Sequence, residues 1–197
     1  MKAWENRIKF LASKLPVFII NVNGISGSGK TNLSCVLVDL IREYYDLAIY
    51  IKISDINDID ALTSLTQRSA ILVLEDFTFL ASKHSRTVDQ FLRELMLVRH
   101  SLGKAAIIVI SHYLTSVLPI LRMSHVRALT SLTSTSEIKQ FKHLFDLTAL
   151  WDFYALYTDN PASHFALLNI LGKHYIIRPP LSKLYTKTTK TAKYVIL

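Results

Sequence analysis

The sequence predicts an open α/β sheet, mostly parallel, with helices packed on both faces. Three observations lead there. Short apolar runs of strand length alternate with stretches whose apolar residues recur at helical spacing. A glycine-rich loop, Gly24 to Thr31, joins the first such run to the first long helical stretch after it. The chain has 197 residues, 50% hydrophobic and 19% charged, enough to fill one core and short for two.

Taken in order, Met1 to Leu15 sets Trp4, Ile8, Leu11 and Leu15 at helical spacing before Pro16, which predicts an amphipathic lead-in helix. Val17 to Asn23 reads as the first core strand, and Thr31 to Tyr45 as a helix with Leu33, Val36, Leu37, Leu40 and Ile41 on one face. Leu47 to Ile53, rich in β-branched and aromatic residues, is the second strand. A short helix is expected over Asp55 to Thr66. Ala70 to Leu74 is a continuous apolar run, as in strands covered on both faces. Val88 to His100 reads as a helix ending before Gly103, Ala105 to Ile110 as another buried strand, Ser116 to Leu121 as a helical turn, and His125 to Leu132 as a strand.

Beyond this alternation, Glu137 to Tyr157 is expected to be one helix, stopped by Asn160-Pro161. His164 to Leu171 and Tyr175 to Arg178 flank Gly172-Lys173 and predict an antiparallel hairpin at the sheet edge. From Leu181 the composition turns basic, with four lysines and no acid between Lys183 and Lys193. The organisation expected is a lead-in helix (1–15), one globular domain (16–180) and a basic tail (181–197).

Chemistry enters at the loop. Gly24-Ile25-Ser26-Gly27-Ser28-Gly29-Lys30-Thr31 matches the phosphate-binding pattern G-x-x-x-x-G-K-[ST] between a strand and a helix. Glycines at 24, 27 and 29 permit backbone conformations closed to other residues, so successive N–H groups can turn toward an anion. Lys30 reaches the β- and γ-phosphates of ATP, Thr31 offers its hydroxyl to Mg²⁺, and the helix start at Lys30-Thr31-Asn32 adds its dipole. Ser26, Ser28 and Asn32 belong to the same candidate set.

A second element is Ile71-Leu72-Val73-Leu74-Glu75-Asp76, a buried strand ending in two acids. Hydrolysis needs one acid to hold Mg²⁺ and a second to polarise water. By position Glu75 takes the metal and Asp76 the water. The common order is Asp then Glu, so the pair is inverted and the roles could be exchanged. After the fourth strand, Ser111-His112 offers a polar sensor, because neutral His112 can donate a hydrogen bond toward the γ-phosphate or the attacking water. Arg93, Arg99, Arg122 and Arg127 are candidate arginine fingers, with Arg99 and Arg122 best placed to face a neighbouring subunit.

Composition narrows the class of protein. A net charge of +8 favours a polyanionic partner, with Lys2, Arg7, Lys9, Lys14 and the lysines from Lys183 to Lys193 as its contacts. A single cysteine, Cys35, excludes an internal disulfide framework. No apolar run reaches membrane-span length, and the first segment lacks a signal peptide's apolar region, so an intracellular protein is expected.

Together, the loop Gly24 to Thr31, the strand end Ile71 to Asp76, the stretch Leu97 to Lys104 with Arg99-His100, and the strand Ile107 to Ile110 resemble the FtsK-HerA superfamily of DNA-pumping ATPases. Within it the chain is similar to genome-packaging ATPases of double-stranded DNA viruses, of the poxvirus and archaeal turreted icosahedral virus types. Leu118 to Arg122 and the hairpin after Ser163 add to the likeness, which spans residues 16 to 178. His112 departs from the glutamine common at the sensor. The resemblance implies a RecA-like P-loop NTPase fold and an ATP-driven translocase of double-stranded DNA. It further implies a homo-oligomeric ring, a pentamer or hexamer, with a capsid vertex protein as partner. Its place would be the host cytoplasm and the virion.

Two other readings stay open from the residues. A small-molecule kinase would need an arginine-rich lid, for which Ala81 to Asp89, with one arginine, is the candidate. A polar sensor strand beside the phosphate-loop strand would argue against it. An ATP-controlled switch or adaptor would bind ATP and turn it over slowly.

Overall fold

A computed structural model describes residues 2–52, 69–75, 103–112, 123–188 and 194–197. The helices expected within 55–66, 88–100 and 116–121, the lid segment 81–89, and Asp76, Arg93, Arg99, Arg122, Lys190 and Lys193 lie outside the described residues.

Helix α1 (Ala3–Lys14) buries Trp4, Ile8, Leu11 and Ala12, the stripe that helical spacing predicts. Strand β1 (Val17–Asn23) leads into the glycine loop and helix α2 (Lys30–Ile41). A short 3₁₀ turn, Arg42–Tyr44, then replaces the α-helix expected to Tyr45. Strands β2 (Leu47–Lys52), β3 (Ser69–Glu75), β4 (Lys104–Ser111) and β5 (Val126–Leu129) follow. The fifth is shorter than expected because Thr130 and Ser131 leave the ladder to bond the phosphate loop.

Glu137 to Tyr157 is two helices rather than one, α3 (Thr135–Phe141) and α4 (Leu147–Asp159). Each has its own cap: Ser134 and Glu137 form a capping box, and Asp146 Oδ1 accepts from Ala149 N at 3.1 Å. The break lets Phe141 and Phe145 both turn into the core, their rings edge to face.

Strands β6 (Ala166–Ile170) and β7 (Lys173–Ile177) form the expected hairpin. Ile170 pairs with Lys173, so the loop is the two residues Leu171-Gly172, both at positive φ. This is the turn whose twist suits a tight hairpin. Helix α5 (Tyr185–Thr188) and strand β8 (Tyr194–Ile196) follow.

The sheet order is β7-β6-β5-β1-β4-β3-β2-β8. The five central strands are mutually parallel, while β6, β7 and β8 are antiparallel to their neighbours. One face packs under α1 and α2 through Ile8, Leu33, Leu37 and Ile41, and the other under α3 and α4 through Ile138, Phe141, Leu150 and Phe153. Helices on both faces and an edge hairpin match the expectation.

The segment 181–197 is packed where it is described. Composition set it apart as a basic tail, yet Ser182, Leu184, Thr188, Val195 and Leu197 are buried, and β8 pairs with β2. Apolar residues between the lysines hold the described part against the sheet.

Candidate nucleotide site

Because the central strands are parallel, the carboxyl ends of β1, β3, β4 and β5 lie along one edge, where ligands of open α/β sheets bind. A polar seam joins them. Asn23 Nδ2 donates to Ser111 Oγ at 3.0 Å, Asn21 Nδ2 reaches the same oxygen at 3.4 Å, and Gly24 N donates to Ser111 O at 3.3 Å. From β5, Thr130 N donates to Asn23 O at 2.9 Å, and Ser131 Oγ accepts from Ile25 N at 2.9 Å. Thr130 Oγ1 lies 2.6 Å from Ser28 Oγ. Ser111, Thr130 and Ser131 therefore hold the loop from behind.

Two glycines of the loop, Gly27 and Gly29, have φ of 77° and 88°, the left-handed region expected of them. Gly24 does not; its requirement is space. A Cβ there would stand 2.2 Å from Thr130 Oγ1 and 2.7 Å from Ser28 Oγ.

Lys30, 5% exposed, donates from Nζ to Ile25 O at 2.6 Å and lies 3.3 Å from His112 Nδ1. An ammonium has only donors, so Nδ1 is the acceptor and the imidazole carries its proton on Nε2. Thr31 Oγ1 donates to Glu75 Oε1 at 3.0 Å. One turn below Thr31, the buried Cys35 thiol is pushed up to about 12 by desolvation, with the charges of Asp39 and Glu75 adding, which leaves it unreactive.

A cavity of about 700 Å³ opens over this edge, within the range of small-molecule sites. Ser26, Gly27, Gly29, Lys30, Thr31, Asn32, Glu75 and His112 line it, so the glycine-rich loop, the acid ending β3 and the histidine after β4 meet at one place. Gly24 and Ser28 shape the loop from beneath. Asn32 also ties down the chain's later part: Nδ2 donates to Pro180 O and Oδ1 accepts from Ser182 N, both at 2.9 Å. Asp76, Arg99 and Arg122 lie outside the described residues. Of the lead-in helix's basic residues, Lys9 bonds Glu43 at 2.8 Å, and of the later lysines Lys183 and Lys187 are exposed.

The far wall was missed in the sequence reading. Lys52, His164, Arg178, Pro179, Leu181 and Tyr185 complete the cavity. Lys52 was findable, since it ends β2 opposite Glu75 and strand ends gather at this edge. His164, at φ 46° and beside Gly29, and the segment after Arg178 carry no motif.

Thr31 and Glu75 present hard oxygen donors 3.0 Å apart at the mouth of the phosphate loop, which fits Mg²⁺ shared with a nucleotide. Among the described residues no three His, Cys, Asp or Glu side chains cluster to hold a metal by themselves. No helix among them is long and apolar enough to cross a membrane.

No protein-family model and no curated protein matches the chain. Solved structures do. The genome packaging NTPase B204 from Sulfolobus turreted icosahedral virus 2, in complex with AMPPCP, aligns with TM-score 0.59 and 14% identity over 85% of this chain and 100% of its own. The DNA-packaging ATPase B204 from Sulfolobus Turreted Icosahedral Virus gives 0.57 and 12% over 83% and 98%. The pCW3 conjugation coupling protein TcpA, in its monomer form with ATPγS, gives 0.55 and 12% over 89% and 63%. At these identities the likeness is one of fold, and the chain has the α/β P-loop NTPase fold. The sequence resemblance pointed to the same group of proteins.

Proposed function

We propose that this chain is an ATPase that drives DNA transport, and specifically a translocase that packages double-stranded DNA of a virus into its capsid. The observation that carries the ATPase reading is the Thr31–Glu75 hydrogen bond inside the cavity, with Lys30 and His112 in contact beside it. The solved neighbours, two named as packaging proteins and one as a conjugation coupling protein, support DNA as the cargo.

In this reading the γ-phosphate enters against Lys30, whose ammonium moves from Ile25 O to the phosphate oxygens. Mg²⁺, when bound, would neutralise charge on the β- and γ-phosphates, held by Thr31 and Glu75. Asp76 accepts a proton from the attacking water as its oxygen bonds the γ-phosphorus, and the bond to the β-phosphate oxygen breaks to release ADP. If the inverted acids exchange roles, Glu75 takes that proton. His112 Nε2–H donates toward the transferring group. Arg99 or Arg122 of a neighbouring subunit completes the site, in a ring of five or six copies. Lys183, Lys187 and the net charge of +8 supply phosphate contacts independent of sequence. A capsid vertex protein would anchor the ring, in the host cytoplasm and on the virion.

The strand order weighs against the kinase. Strand β4 lies between β1 and β3, so the polar strand end Ser111-His112 stands beside the phosphate-loop strand, which argues against a kinase. The inverted order Glu75-Asp76 favours one second reading, an ATP-dependent switch with slow turnover.

The deciding measurement is ATPase rate with and without double-stranded DNA, taken with native mass. DNA-stimulated turnover and a ring-sized mass are expected. Tight ATP retention without stimulation would replace the motor by the switch. Mixing an inactive Lys30→Ala protein with an inactive Arg99→Ala or Arg122→Ala protein should restore part of the activity; no complementation counts against an arginine in trans.

A further inference from the structure

Strand β2 places a tyrosine beneath the acid that the proposed mechanism uses. Tyr50 pairs with Val73 and Lys52 with Glu75, and side chains on one face of a strand recur every second residue. Ala48, Tyr50, Ile71 and Val73 accordingly face α2, and Glu75 continues the same row. Helix α2 begins at Lys30 and turns Thr31 toward this row.

Tyr50 is wholly buried, and its hydroxyl has no hydrogen-bond partner among the described residues. Further along the same row stands Glu75, which Thr31 already meets from the helix side. A buried phenol without a partner is costly, and phenylalanine would fill the same volume without that cost. An ordinary phenol keeps its proton at neutral pH, so this hydroxyl is a donor.

We propose that Tyr50 is a positioning residue for the Mg²⁺ site: its hydroxyl donates to the Glu75 carboxylate and fixes that side chain for the metal it holds with Thr31. This rests on the reading of Thr31 and Glu75 as the metal-holding pair. Thr31 already donates to Oε1 in the present arrangement. A carboxylate offers about four lone-pair sites, so one donor leaves its orientation only partly set. A second donor from below fixes the orientation, as outer partners do for metal-binding carboxylates.

The test titrates Mg²⁺ against the affinity for a fluorescent ADP analogue, in wild-type protein and in Tyr50→Phe, with a metal-free arm in EDTA. Tyr50→Phe should bind the analogue in EDTA as the wild type does and need about tenfold more Mg²⁺ for half-maximal enhancement. An unchanged Mg²⁺ midpoint would overturn the inference. So would weakened binding in EDTA, the mark of a merely structural role. If the wild-type chain binds the analogue with no Mg²⁺ dependence, the metal-holding pair itself fails and the inference fails with it.

Discussion

Asn32 sits one residue past Thr31 and holds residues 180 and 182 with both ends of its amide, donating to Pro180 O and accepting from Ser182 N at 2.9 Å each. Ser182 Oγ in turn donates to Asp39 Oδ2 at 2.6 Å, about two turns further along the same face of α2. The wall that carries Leu181 and Tyr185 is thereby fastened to the helix that starts at the phosphate loop. Asn32→Ala should leave the Ser182 amide unpaired at a cost of about 1–3 kcal/mol. Hydrogen exchange at Ser182 to Leu184 should quicken and the melting temperature fall. Unchanged exchange there would show that the tie bears no load.

Lys30→Ala should weaken ATP binding by on the order of a hundredfold, the loss of a charge-assisted contact to phosphate. Its ammonium is buried against Ile25 O and His112 Nδ1, so the ligand-free protein should also melt somewhat below the wild-type temperature. Equilibrium binding and a thermal melt check the two halves. Undiminished ATP affinity would remove the site assignment.

Asp76→Asn and Glu75→Gln should both retain ATP, and at least one should lower turnover by about a hundredfold or more. Single-turnover rates at saturating ATP separate the roles. The acid that takes the proton lowers the chemical step at any Mg²⁺ concentration, whereas the metal-holding acid is partly rescued by excess Mg²⁺. Normal turnover in both variants would end the acidic-strand reading.

His125 gives a pH dependence with a definite sign. Its Nδ1 accepts from Ile19 N at 3.1 Å, which requires the neutral ring, and burial with the Arg127 charge lowers its pKa below the ordinary histidine value. His174 is lowered by desolvation, and its Nε2 accepts from Asp146 N at 3.1 Å. A folded pKa below the unfolded one means the unfolded chain takes up the proton first. Stability is therefore full above about pH 6.5 and declines as the pH falls toward the depressed folded values. Thermal melts from pH 8 to 5 should show the decline, and His125→Gln should flatten part of it.

What the sequence disclosed were the features encoded by neighbours in the chain. Helical spacing from Trp4 to Leu11, the apolar runs of the central strands and the Gly24 to Thr31 pattern are local, and each is where it was expected. The misses depend on partners far along the chain. Thr130 and Ser131 read as the end of a strand, while their contacts lie about a hundred residues earlier on the loop. Gly24 looked like a site of backbone freedom, and its reason is the Thr130 hydroxyl behind it. The lysines of 183–193 hid Leu184, Val195 and Leu197, the residues that bury that segment. Asp146 supplied the overlooked stop inside the helix expected from Glu137 to Tyr157.

The pairing of β8 with β2 also sets an order of events during synthesis. Ile49 meets Ile196, and Ala48 O accepts from Leu197 N, so among the described residues the backbone edge of β2 is covered by a strand made about 145 residues later. Such distant pairing is slow to form, and an open apolar edge invites association between nascent chains. Residues 178–185 emerge late as well, so a chain made only to β6 carries the phosphate loop with Lys52 and His164 but without the Arg178, Leu181 and Tyr185 part of the cavity wall.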